Sequence, residues 1–126
     1  LALKADYVDA YVMLAQLEIQ QNNVRGAIAS AEQVALLVPG NPAIYFEVGL
    51  LKYSNQDYAG AANAFGLALA AAPDYANAKY YAGLSLARLG RLEEAKQTLE
   101  SLLVANPDNA ELKAVLAALQ AGKSPF

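Results

Sequence analysis

The chain has 126 residues, 56% of them apolar and 17% charged, with nine basic against twelve acidic side chains and a formal charge of −3. That length suits one domain, and a mildly acidic chain with no basic block is a poor match for a phosphate backbone, which argues against a nucleic-acid partner. Histidine and cysteine are both absent, which excludes Ser-His-Asp and Cys-His nucleophiles, zinc sites built on either residue, and any disulfide framework.

In chain order, Tyr11, Leu14, Ala15 and Glu18 lie at helical spacing, and the run breaks at Gln21-Asn22-Asn23. A second helix is predicted from about Val24 to Val38, closed by Pro39. Asn41-Pro42 opens a third, because Asn caps well and Pro is tolerated in the first turn. Ser54-Asn55-Gln56-Asp57 is the next turn, followed by a helix over about 59–72 with no charged residue. Its outward side is expected to show Gly60, Asn63, Gly66, Leu67 and Ala70. The longest uncharged stretch, Tyr58 to Pro73, is shorter than the roughly 20 apolar residues that cross a bilayer, so direct membrane insertion by this chain is not expected. A further pair turns at Leu89-Gly90-Arg91, with Glu93 and Glu94 placed where a helix dipole favours anions. A last helix is predicted over 110–121, with Gly122 as its stop.

These elements repeat. Pro39, Pro73 and Pro107 are 34 residues apart, as are Ala27, Ala61 and Ala95. Ala15, Gly49 and Gly83 form a small column, expected to face Ala27, Ala61 and Ala95 and to let helix backbones approach closely. Leu14, Val48, Ala82 and Leu116 form an apolar column, and Ala31, Phe65 and Leu99 another. Three gapless blocks result, 8–41, 42–75 and 76–109, each a helix pair, with 110–121 as a capping helix and 122–126 as a tail. Residues 1–7 align with Leu69–Tyr75 and read as the end of a preceding repeat, so at least one more unit is expected upstream. The fold class is all-α, a solenoid whose stability comes from stacking neighbours.

The period and its residues resemble the tetratricopeptide (TPR) repeat family. The second block carries the pattern through Tyr45, Val48, Gly49, Ala61, Phe65, Ala68 and Pro73. The first departs at Glu18 and Ala31, the third at Lys79 and Ala82. The resemblance implies a right-handed α-α superhelix of three TPR helix pairs plus a C-terminal capping helix, acting as a non-catalytic scaffold that binds a protein or peptide. The phrases Asn-Pro-Ala-Ile-Tyr-Phe and Ala-Gly-Lys-Ser-Pro-Phe further resemble bacterial TPR tails, some of which follow polytopic membrane proteins of the O-antigen-ligase kind. On that likeness the chain is a soluble domain, cytoplasmic or periplasmic, tethered through an upstream part, and an accessory role beside a glycan-handling membrane enzyme is one alternative. Self-association into a homo-oligomer is the other.

In a TPR stack the first helices line a concave groove. The resemblance therefore places a partner-binding groove at Val12, Gln16 and Ile19, at Phe46, Glu47, Leu50 and Tyr53, and at Tyr80, Tyr81 and Leu84. The row is apolar and aromatic, which suits an extended apolar peptide or an amphipathic helix. The competing reading of Phe46, Tyr53 and Tyr80 is packing between adjacent first helices. Groove positions that hold acidic chaperone tails in some relatives carry Val12, Gln16, Glu47, Asn77 and Tyr81 here, with Arg88 the one nearby cation, so that clamp is missing. Arg88, Arg91 and Lys96 sit beside Glu93 and Glu94, where local ion pairing is expected. No Gly-rich phosphate loop, calcium loop or paired catalytic carboxylates can be found, and no cofactor or catalytic residue is assigned.

Overall fold

The computed structural model describes the backbone of residues 2–123 and 125–126, and the side chains of these except residues 2–9 and Val12. Seven helices and no strand occur among the described residues: α1 (Ala2–Gln20), α2 (Val24–Leu37), α3 (Pro42–Ser54), α4 (Tyr58–Ala71), α5 (Ala76–Arg88), α6 (Leu92–Ala105) and α7 (Ala110–Gln120). Each packs on its neighbours in sequence, and α3 also touches α5. This is an all-α helical repeat.

The turns explain the regularity. Helices α2, α4 and α6 end two residues before Pro39, Pro73 and Pro107, as the bias against helix before proline requires. Helices α1, α3 and α5 end on a left-handed residue, Asn22 (φ 62°), Gln56 (φ 64°) and Gly90 (φ 79°), again 34 apart. At each, the following N–H reaches back to a carbonyl five residues earlier (Asn23 to Glu18, Asp57 to Lys52, Arg91 to Leu86), which satisfies orphaned helix-end acceptors. Gly122 (φ 71°) stops α7 in the same manner, with Lys123 N–H on Ala118. Asn23, Asn41, Asp57 and Asn109 cap the helices that follow them through their side-chain oxygens.

Residues 1–7 were expected to close a separate preceding unit, and the backbone differs: α1 runs unbroken from Ala2 to Gln20. The position equivalent to Pro39, Pro73 and Pro107 is Ala5. Alanine keeps its N–H and favours helix, so nothing breaks the chain there.

Among the described residues the core is a succession of three clusters with no common centre. Ala15, Ala27, Ala31, Val48, Leu51 and Ala64 join α1 to α4; Ala61, Phe65 and Ala82 join α4 to α5 with Phe46 and Tyr81 against them; Leu99, Leu102, Leu112, Leu116 and Leu119 join α6 to α7. The buried column 48, 82, 116 is 4–6% exposed, whereas Leu14 in the same column is 44% exposed because α1 lies at the end of the stack.

The small column lies hard against residues 16 positions further on. A Cβ on Gly49 would lie 2.5 Å from the Phe65 ring, and one on Gly83 would lie 2.6 Å from Leu99. The series therefore pairs by volume: Ala15 with Ala31, Gly49 with Phe65, Gly83 with Leu99. Where the second helix brings a large side chain the first gives up its Cβ, and where it brings Ala a methyl returns.

Candidate functional site

Among the described residues, predicted groove residues line the following three depressions. The first, about 450 Å³, is lined by Tyr53 of α3, Tyr80 and Leu84 of α5, Glu111, Val115 and Ala118 of α7, and Pro125 and Phe126 of the tail. The second, about 400 Å³, lies across the start of α5 and α7, at Asn77, Tyr80, Tyr81, Asn109 and Glu111. The third, about 200 Å³, is lined by Gln16, Ala43 and Glu47 between α1 and α3, floored by Ala31 and Val34.

The predicted residues thus divide. Tyr53, Tyr80 and Leu84 come together in one hollow, Leu84 as its 9%-exposed floor. Gln16 and Glu47 share another, and both are exposed. Ile19, Phe46 and Leu50 line none of the three, and the side chain of Val12 lies outside the described residues. Phe46 packs its ring 5.7 Å from Phe65, 5.1 Å from Tyr75 and 5.9 Å from Tyr81, so its contacts are those of a scaffold residue. Tyr81 also stacks on Phe65 and stands edge-on to Tyr53.

Polar anchors fix the remaining rings. The Tyr80 hydroxyl donates to Glu111 at 2.9 Å, tying α5 to α7. Arg88 Nε donates to the Tyr53 hydroxyl at 3.3 Å, and its guanidinium lies 5.9 Å from the Tyr53 ring centroid and 5.4 Å from that of Tyr58. The bond to Tyr53 raises the Arg88 pKa further, so the cation persists at all working pH. Arg88 stands apart from the ion pairs at the neighbouring turn, where Arg91 meets Glu94 and Lys96 meets Glu93, each at 2.7 Å. Such exposed pairs contribute little stability.

Burial, and after it the bond to Glu111, pushes the Tyr80 phenol up from 10.0 to about 12. A folded-state pKa above the unfolded one means that Tyr80 contributes stability fully present below pH 10 and lost as pH rises through about 12. Following the Tyr80 phenolate signal against pH should show it ionising near 12. Glu111→Gln should bring it down part of the way, since burial is the larger cause. A Tyr80 titration that does not move in that variant would show the bond to be immaterial.

The sequence reading missed the contribution of α7. Glu111, Ala114 and Ala118 stand 34 residues after Asn77, Tyr80 and Leu84, so the predicted row extends onto α7. The repeat offset carried that signal. Pro125 and Phe126 lie outside the period and left no trace of their position. Elsewhere, Asn63, Gly66, Leu67 and Ala70 of the uncharged α4 are exposed and Gly60 is half-buried. Among the described residues, no group of acidic side chains is placed to hold a metal ion, and no helix is long and apolar enough to cross a membrane.

A family model described as tetratricopeptide repeat matches residues 52–119, and a second with the same description matches 12–69. No curated protein matches the chain. Among solved structures, the first TPR of Spaghetti (RPAP3) bound to the HSP90 peptide SRMEEVD is similar with a TM-score of 0.83 at 22% identity, covering 93% of each chain. The second TPR domain of human RPAP3, in complex with the HSP70 peptide SGPTIEEVD, gives 0.82 at 19% identity, covering 93% of this chain and 98% of that one. An O-GlcNAc transferase of Thermobaculum terrenum gives 0.73 at 23% identity over 92% of this chain and 22% of its own. At these identities the likeness is one of fold.

Proposed function

The chain belongs to the tetratricopeptide repeat family, and from that premise we propose that it is a non-catalytic scaffold binding an apolar peptide or amphipathic helix of a partner protein. The observation that carries this reading is the hollow of about 450 Å³ where α3, α5 and α7 present Tyr53, Tyr80, Leu84 and Val115 together. Half-buried tyrosines with fixed hydroxyls are rigid, amphipathic anchors, which bind at small entropic cost. The two RPAP3 structures hold acidic peptides. Here Glu47 and Glu111 line the hollows, and Arg88 is spent on Tyr53. An acidic peptide would meet repulsion, so the apolar class is favoured.

The test is to select binders from a displayed peptide library and map each by amide chemical-shift changes. Shifts should centre on Tyr53, Tyr80 and Leu84, and Tyr80→Ala should weaken the selected peptides by about ten- to hundredfold, the range of an interface anchor. Shifts centred instead on α2 and α4 would remove the groove assignment. A second reading, self-association, is favoured by one feature: Leu36 is 74% exposed and Leu67 45% exposed around a depression of about 400 Å³ between α2 and α4. Sedimentation at rising concentration separates the two, because a chain that stays monomeric does not assemble through that face.

A further inference from the structure

The tail does not hang free of the stack. After Gly122 ends α7, Pro125 and Phe126 form one wall of the hollow that Tyr53, Tyr80 and Leu84 line from the other side. Phe126 places its ring 3.6 Å from the Arg88 guanidinium carbon, closer than either Tyr53 or Tyr58. Arg88 is thus held between three rings, two from the helices and one from the tail. Lys123, Pro125 and Phe126 lie outside the helices, and Phe126 is 50% exposed. The cation–π part of that hold, at an exposed site, shifts an equilibrium about two- to fivefold.

We propose that the Arg88–Tyr53 face is a binding site for an aromatic side chain, preceded by proline, of a partner peptide, and that Pro125-Phe126 occupy it within the chain until such a peptide displaces them. The proposal rests on reading these first helices as a peptide-binding face, and adds to it the chemistry of the residue recognised. The tail itself supplies the argument for that chemistry: a Pro-Phe pair is already seated against this cation. An approaching aromatic ring meets the same guanidinium face, oriented by the bond to Tyr53, so the two occupants exclude each other.

The probe is the pentapeptide Gly-Lys-Ser-Pro-Phe with its amino end blocked, titrated by nuclear magnetic resonance into the full chain and into Phe126→Ala. The Arg88 Nε–H and Tyr53 ring signals should move in Phe126→Ala and return toward their original positions as the peptide is added. The variant should bind the peptide about two- to fivefold more tightly than the unaltered chain, the gain expected from freeing one cation–π site. Adding Arg88→Ala to Phe126→Ala should weaken that binding about two- to fivefold, the loss of one cation–π contact, while the helical signal stays intact. Equal affinity of the unaltered chain and Phe126→Ala, or an affinity for the peptide that Arg88→Ala leaves unchanged, overturns the proposal. So does a dimer that Phe126→Ala dissolves, since the tail would then act between copies. Phe126→Ala leaves Tyr80 and Leu84 in place, so a failure here is separable from a failure of library peptides to bind those residues.

Discussion

Phe65→Ala is expected to lower the unfolding free energy by about 3–5 kcal/mol, the usual cost of truncating a fully buried aromatic. Phe65 is 0% exposed and supports the rings of Phe46 and Tyr81, so the loss should loosen the middle of the stack. Gly49→Ala should also destabilise, by about 1–3 kcal/mol of overpacking, although the gain in helix propensity returns roughly 1 kcal/mol. Together the two substitutions recreate the arrangement of the first helix pair, where Ala15 and Ala31 occupy the same positions. The double variant should therefore be more stable than the sum of the single losses predicts, with a coupling of at least about 1 kcal/mol. Urea unfolding followed by circular dichroism measures all four corners of the cycle. Strict additivity would mean that the volume pairing across the repeats has no energetic content.

The second large effect concerns the end of the stack. Leu112 is 0% exposed and anchors α7 on α6 together with Leu116 and Leu119. Leu112→Ala should cost about 2–5 kcal/mol, and the damage should be local, because a terminal unit contacts one neighbour only. Hydrogen exchange should quicken in α7 well before α3 and α4. The consequence for the candidate site is the sharper readout. Residue 111 sits beside the deleted side chain, so the Glu111–Tyr80 bond should weaken and the Tyr80 pKa should fall from about 12 toward 10.0. Faster exchange in α7 with an unmoved Tyr80 titration would separate the cap from the hollow.

Much of this architecture could be read from residue types. The prolines at 39, 73 and 107 and the turns ending in Asn23, Asp57 and Arg91 mark the helix ends, because proline and capping side chains act on backbone groups a few residues away. Ala5 shows the same logic in reverse: the period suggested a boundary, but the residue that enforces it is missing. The candidate site was legible only in part. Helical spacing put Tyr53, Tyr80 and Leu84 on one row, and the structure brings them to one hollow. The same spacing put Phe46 and Leu50 on that row, where the structure has them packed against the cluster of Ala61, Phe65 and Ala82. Periodicity records which side of a helix a residue occupies, and it carries nothing about how far a ring turns toward its neighbours.

The sequence by itself determined the order of the helix pairs and the 34-residue period, since these follow from local backbone preferences and from apolar spacing within single helices. Only the tertiary structure decided which side chain answers each glycine, that α7 completes a hollow as well as closing a stack, and that Arg88 pairs with rings. Those outcomes depend on side-chain volume and on contacts between residues 16 to 38 positions apart, such as Gly49 with Phe65 and Arg88 with Phe126. Packing, unlike helix formation, is settled by everything that must share the same space.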